Sequence, residues 1–189
     1  MKISVLITAY KEPKQVKRAI DYLLKDKEGI FEILISAPDR HTIKVIKNIS
    51  KVETKVKLIE EKERLGKPNA VNNLIKQAKG DILILTDGDC YIKKGSVKAI
   101  TESFKKSKNI GIITGKVLTV NSKSNLLGFW SHFLVNCANK IRQEKTLNNQ
   151  FFFASGYLLA VKRELVDFKI PNNCLVDDAF ISKKVYKNN

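Results

Sequence analysis

The chain has 189 residues, 43% of them hydrophobic, and a formal net charge of +16 from 35 Lys and Arg against 19 Asp and Glu. That length suits one sizeable domain with a packed core, which excludes a disordered chain and leaves little room for two domains. Cys90, Cys137 and Cys174 lack metal-site spacing, so reduced thiols in a cytoplasmic setting are expected and a disulfide framework is not.

Met1-Lys2 leads straight into a strand pattern, so no signal peptide is expected. No apolar run approaches the ~20 residues of a membrane span. The basic excess is mostly lysine and has three readings: a solvated surface, attraction to an anionic membrane, or a polyanionic ligand. Nucleic acid is not an expected partner, because no stacking motif, helix-turn-helix or zinc-finger pattern is present.

The elements alternate in chain order. Ile3 to Thr8 reads as a strand, Lys14 to Leu24 as a helix, Phe31 to Ser36 as a strand and Thr42 to Ile49 as a short helix. Lys55 to Glu60 alternates as a third strand. Pro68 to Lys79 is a helix, with Pro68 in its first turn and Gly80 as its C-terminal cap. Ile82 to Thr86 is a fourth, apolar strand. This βαβαβαβ order predicts an α/β fold with a mostly parallel sheet and right-handed crossovers, flanked by helices on both faces. Gly95 to Lys106 follows as a helix and Ile110 to Val120 as a long strand-like run. Asn125 to Arg142 is a helix with a broad apolar stripe, and Gln150 to Val161 is a strand region. Asp177 to Tyr186 closes as a helix. No repeat or linker divides the chain, so residues 1–189 are expected to form one domain.

Two acidic clusters stand out against the positive charge. Asp87-Gly88-Asp89 ends the fourth strand, at the sheet rim where open α/β folds bind ligands. Paired carboxylates there suit a hard divalent cation, which shares its oxygen ligands with substrate phosphates. Asp177-Asp178 offers a carboxylate for general-base work. No G-x-G-x-x-G follows the first strand, and Gly66-Lys67 is followed by Pro68, which excludes a P-loop. His41 and His132 have no partner spacing and read as non-ligands. Cys90 reads as incidental, and Trp130 as a packing residue rather than a sugar platform.

Thr8 to Glu12, Pro38-Asp39, the segment Arg64 to Asn72, Asp87-Gly88-Asp89, Ala154-Ser155-Gly156 and Val176-Asp177-Asp178 occur in a particular order. As an ordered set they resemble the family 2 inverting glycosyltransferases of the GT-A fold. The resemblance implies a nucleoside pocket along Ala9, Tyr10 and Glu12, with Asp39 at the base edge. It puts Arg64 and Lys67 near the phosphates, Asp87 and Gly88 near the ribose, and a Mn²⁺ or Mg²⁺ ion on Asp87 and Asp89. It makes Asp178 the catalytic base and sets Ser155, Gly156 and Asp177 on the acceptor side. Residues 1–90 would form the nucleotide-sugar half and 91–189 the acceptor half. The donor expected is a UDP-sugar and the acceptor a saccharide or lipid-linked hydroxyl, as in polysaccharide or glycolipid synthesis. The expected location is the cytoplasm, with peripheral contact at the cytoplasmic face of a membrane as an option.

Each motif also has a plain alternative. Asp39 or Asp177-Asp178 can simply cap a helix, Arg64 and Lys67 can be surface charge, Asp87-Gly88-Asp89 a polar turn, and Ser155-Gly156 a strand bulge. Membrane-bound members continue with Gln-x-x-Arg-Trp and transmembrane helices. This sequence stops at Lys187-Asn188-Asn189, so a truncated form and a compact variant are both expectations. The rival readings are a nucleotidyltransferase that releases pyrophosphate and a non-catalytic donor-binding domain.

Overall fold

The computed structural model describes residues 1–27 and 29–188, with no account of the Asn188 side chain. Six strands form one sheet in the order β3-β2-β1-β4-β6-β5. They are β1 (Ile3–Thr8), β2 (Ile30–Ala37), β3 (Val56–Glu60), β4 (Ile82–Asp87), β5 (Ile112–Thr114) and β6 (Leu159–Lys162). The first four pair in parallel, and β6 runs antiparallel to both β4 and β5. The helices are α1 (Pro13–Leu24), α2 (Arg40–Ser50), α3 (Lys67–Gln77), α4 (Ser96–Lys106), α5 (Leu126–Leu147) and α6 (Asp177–Asn188), with a 3-10 turn at Arg163–Leu165.

The alternation of side chains along β1 sorts the core into two layers. Ile3, Val5 and Ile7 pack with Val16, Ile20, Ile46, Val97 and Phe104 of α1, α2 and α4. Leu6 faces the other way, toward Val71, Leu74, Ile181 and Val185 of α3 and α6. Both faces of β1 and β4 are thus covered, which is why those strands are apolar nearly throughout. Each such aliphatic side chain contributes ~1.5–3 kcal/mol on burial.

Four expectations need correction. The run after Ile110 yields only three strand residues, because the chain leaves the sheet at Gly115. Its backbone turns instead to α5, where the Asn139 amide bonds both Val117 N and Val117 O. The region from Gln150 contributes only Leu159 to Lys162, and the preceding residues make a turn held by Thr114 Oγ1 on Ser155 N. Gly80 does not cap α3; Ala78 does. Gly80 is needed because a Cβ there would stand 2.5 Å from Ser4 N. Finally, α5 runs past the expected end at Arg142 to Leu147; of the two ways its apolar stripe could lie, over the sheet or outward, it faces outward. Gly128 is its one buried residue, while Leu126, Trp130, Phe133 and Leu134 are exposed.

At the opposite end of the sheet from the carboxylate rim, Glu32 is buried on β2. Its Oε1 accepts from Ser4 Oγ (2.8 Å) and Lys79 N (2.7 Å), and its Oε2 from Lys57 Nζ (2.9 Å). Burial works against its charge, but Lys57, the Lys79 amide and Ser4 together hold its carboxyl below the usual 4.5. A depressed folded value means that the stabilisation is complete above 4.5 and is lost as pH falls through the folded value. Glu32→Gln should therefore cost ~2 kcal/mol at pH 7 in urea unfolding. The gap to the native protein should narrow on acidification below 4.5; a gap independent of pH would contradict the assignment.

Candidate active site

Thr8 and Asp87 are register partners at the C-terminal ends of β1 and β4. The chain leaves β1 toward β2 on one side and returns to β4 on the other, so a crevice opens between them. Backbone bonds pin its walls: Gly88 N donates to Thr8 O (2.9 Å) and Ala9 N to Ser36 O (3.0 Å). The resulting cleft of about 290 Å³ is lined by Thr8, Ala9, Tyr10, Glu12, Pro38, Glu61, Arg64, Gly66, Lys67, Ala70, Asp87, Asp89 and Tyr157. A void of only about 10 Å³ extends from Asp87 and Lys67 toward Gly156, Asp177 and Asp178, walled otherwise by core side chains such as Leu6, Val71 and Leu85.

On the wall from β1, the Arg64 guanidinium lies over the Tyr10 ring, 4.0 Å from its centroid. Asp39 caps α2 through Thr42 N (3.0 Å) and also accepts Lys11 N (2.8 Å). Burial raises the cost of its charge, yet these backbone donors hold its carboxyl below the usual 3.8. Asp39 thus fastens the Tyr10–Glu12 loop to α2, and Pro38 beside it lines the cleft. The tie includes Lys11, whose φ of 57° is in the left-handed region.

Glu12 is the least satisfied group. Its Oε2 is buried with no hydrogen-bond partner. Burial pushes its carboxyl above the usual 4.5, and Asp89, then Asp87 and Asp39, push it further against a Tyr10 backbone bond. Gly88 is required beside it, since a Cβ there would come within 2.8 Å of Ala9 Cβ and 3.1 Å of Glu12 Oε2.

Lys67, in the first turn of α3, reaches Asp87 Oδ1 at 2.8 Å and Asp177 Oδ1 at 3.8 Å. Burial opposes its charge, but Asp87, Asp177 and Asp178 hold its ammonium above the usual 10.5. Asp177 is pushed up by burial, with Lys67 acting against that and Asp178 and Asp87 adding to it. Asp178 Oδ2 accepts Gly156 N (2.8 Å) and its Oδ1 accepts Ala179 N (2.7 Å). The two bonds fix the orientation of the Asp178 carboxyl group in the first turn of α6. A Cβ on Gly156 would stand 3.2 Å from Asp178 Oδ2, so the space freed by this glycine is taken by the carboxylate. Ser155 is buried and carries the turn rather than facing the cleft.

The structure thus brings Ala9, Tyr10, Glu12, Arg64, Lys67, Asp87 and Asp89 to one cleft and Gly156, Asp177 and Asp178 to its extension. Sequence reasoning missed Thr8 and Tyr157. Tyr157 O accepts from Thr86 Oγ1 (2.8 Å), which anchors this residue to β4; its place directly after Gly156 was the available signal. Burial and then the charges of Asp89 and Asp87 push the Cys90 thiol up to about 12, so it is not a thiolate nucleophile.

Among the described residues, no group of three or more His, Cys, Asp or Glu forms a protein-only cage for a metal ion. The donor set does fit a hard cation that takes one or two carboxylates and completes its shell from phosphate and water. Asp87 and Asp89 line the cleft, and the partnerless Glu12 Oε2 adds negative charge beside them.

The sequence model of the family described as "Glycosyl transferase family 2" matches residues 4–168. The chain belongs to that family. A poly-beta-1,6-N-acetyl-D-glucosamine synthase of Staphylococcus aureus is 26% identical over 192 residues, covering 97% of this chain and 45% of that protein. The synthase of Staphylococcus epidermidis is 29% identical over 128 residues, 67% of this chain and 31% of that protein. The chain therefore spans less than half the length of these curated relatives. Among solved structures, the mannosyltransferase PcManGT of Pyrobaculum calidifontis, in complex with GDP-Man and Mn²⁺, superposes with a TM-score of 0.71 at 18% identity, over 97% of this chain and 51% of that one. S. aureus TarS 1-349 gives a TM-score of 0.71 at 19% identity, over 100% of this chain and 56% of TarS 1-349. These likenesses establish the GT-A fold. No helix among the described residues is long and apolar enough to cross a membrane.

Proposed function

We propose that the chain transfers a sugar from a nucleotide-sugar donor, a UDP-sugar, to an acceptor hydroxyl with inversion. The observation that carries this reading is that Lys67 stands between Asp87, which lines the cleft, and Asp177, the neighbour of Asp178 in the first turn of α6. Family membership supports the sugar transfer. The TarS complex with UDP-GlcNAc and the PcManGT complex with GDP-Man and Mn²⁺ support a nucleotide-sugar and a divalent ion.

In this reading Ala9, Tyr10 and Pro38 receive the base, and residues 1–90 form the donor side. A Mn²⁺ or Mg²⁺ ion on Asp87 and Asp89 would neutralise charge on the departing diphosphate. Lys67 and Arg64 bind the phosphate oxygens. Residues 91–189 present the acceptor side. Asp178 accepts the proton of the acceptor hydroxyl as its oxygen bonds the anomeric carbon, and the bond to the diphosphate oxygen breaks with its electron pair. Gly156 N and Ala179 N keep Asp178 aimed.

Asp178→Asn should reduce sugar transfer at least ~10³-fold while nucleotide affinity changes by less than about threefold. Undiminished turnover, measured as nucleoside diphosphate release, would show that another group takes the proton.

Peripheral membrane contact is part of the proposal. The exposed face of α5 carries Leu126, Leu127, Trp130, Phe133 and Leu134, and seven lysines and arginines lie between Glu102 and Glu144 with no acid among them. An amphipathic helix in basic surroundings suits an anionic lipid surface, at ~1 kcal/mol per basic residue close to it. The chain should cosediment with phosphatidylserine-containing vesicles at 0.1 M salt, and Trp130→Glu with Phe133→Glu should abolish this; no sedimentation of the native chain removes the idea.

A further inference from the structure

The Lys67 ammonium is already paired with Asp87, one of the two carboxylates read as holding a divalent cation. It stands 2.8 Å from Asp87 Oδ1, and the same oxygen already takes Thr8 Oγ1 at 3.3 Å. Its second carboxylate, Asp177, belongs to α6 on the acceptor side. Lys67 has no slack at its base: Gly66 enters the helix at a φ of 90°, Pro68 fixes the next residue, and Ala70 N closes on Gly66 O. Its tip is different, since the side chain is 40% exposed and borders both the donor cleft and the passage to Asp178.

We propose that Lys67 is a built-in counter-cation, which competes with the divalent ion for Asp87 and yields that carboxylate when a diphosphate enters the cleft. The inference rests on the reading of Asp87 and Asp89 as the metal-holding pair. Two cations cannot share one carboxylate edge without mutual repulsion, so an ion arriving alone must evict the ammonium into water. A diphosphate removes that obstacle, because it offers the ammonium a new anionic partner inside the same cleft. The ion and the nucleotide then bind with positive coupling, and by linkage each strengthens the other. Moving Lys67 onto the diphosphate also takes it away from Asp177, so donor binding is felt at the first turn of α6, where Asp178 sits. Lys67 binds the diphosphate directly in this scheme and takes no proton.

The test measures Mn²⁺ alone, by the paramagnetic resonance signal of the free ion, on the full chain. Lys67→Gln should bind Mn²⁺ about tenfold more tightly than the native protein, while UDP binding at saturating Mn²⁺ should weaken about tenfold. A purely structural lysine would weaken both or neither. Lys67→Arg keeps the charge and should keep the native, weaker Mn²⁺ affinity. Lys67→Met is a second neutral variant should the Gln protein fail to fold, and circular dichroism checks all of them. Equal or weaker Mn²⁺ binding by the neutral variants overturns the inference. Asp89→Ala separates the two ideas. If it binds Mn²⁺ like the native chain, the metal-holding reading fails. If it loses Mn²⁺ and Lys67→Gln gains nothing, only the role of Lys67 fails.

Discussion

The structure depends on keeping like charges together at one rim of the sheet. Glu12, Asp87 and Asp89 crowd the donor side, and Asp177 and Asp178 face them from α6. Burial first, and then the neighbouring carboxylates, push Glu12 and Asp177 above the usual carboxylate range. The excess of lysine over the rest of the surface does little to relieve this, because exposed charges more than about 10 Å away are screened. Relief comes from one buried-stemmed ammonium, Lys67, and from backbone amides aimed at Asp178. That relief does not reach Glu12 Oε2, which is buried without a hydrogen-bond partner beside Asp89, and this uncompensated charge is the physical basis of the metal-dependent reading.

The sheet order explains how these groups meet. The first four strands are parallel, so β1 and β4 end side by side and bring the Ala9–Glu12 loop against Asp87-Gly88-Asp89. The antiparallel β6 then enters next to β4 from the opposite direction. That reversal puts the Ser155–Tyr157 turn, which precedes β6, at the same rim. From there Gly156 N reaches Asp178, and α6 delivers its acidic first turn over the cleft. The two walls of the candidate site are thus built by opposite strand directions in one sheet.

Much of this was legible in the chain. The apolar runs of β1 and β4 announce strands covered on both faces, and an acid pair directly after β4 is placed by the strand itself. Less was legible wherever a residue serves a distant contact. Gly80 looks like a helix cap but is required by the backbone of Ser4. Gly156 reads equally as a strand bulge, but the space it leaves is filled by Asp178. The residues after Thr114 have strand character, yet Asn139 captures their backbone for α5. The stripe of α5 has core composition, but among the described residues no element buries Leu126, Trp130, Phe133 or Leu134. Periodicity reports that a face is apolar and says nothing of what covers it.

The central claim is that Asp87 and Asp89 hold a cation on which nucleotide binding depends. Calorimetric titration with UDP, with and without Mn²⁺, tests it most directly on the native chain and on Asp89→Ala. The account predicts binding that requires Mn²⁺ and disappears in the variant. Binding of equal strength without Mn²⁺, or binding that survives the loss of Asp89, would contradict it.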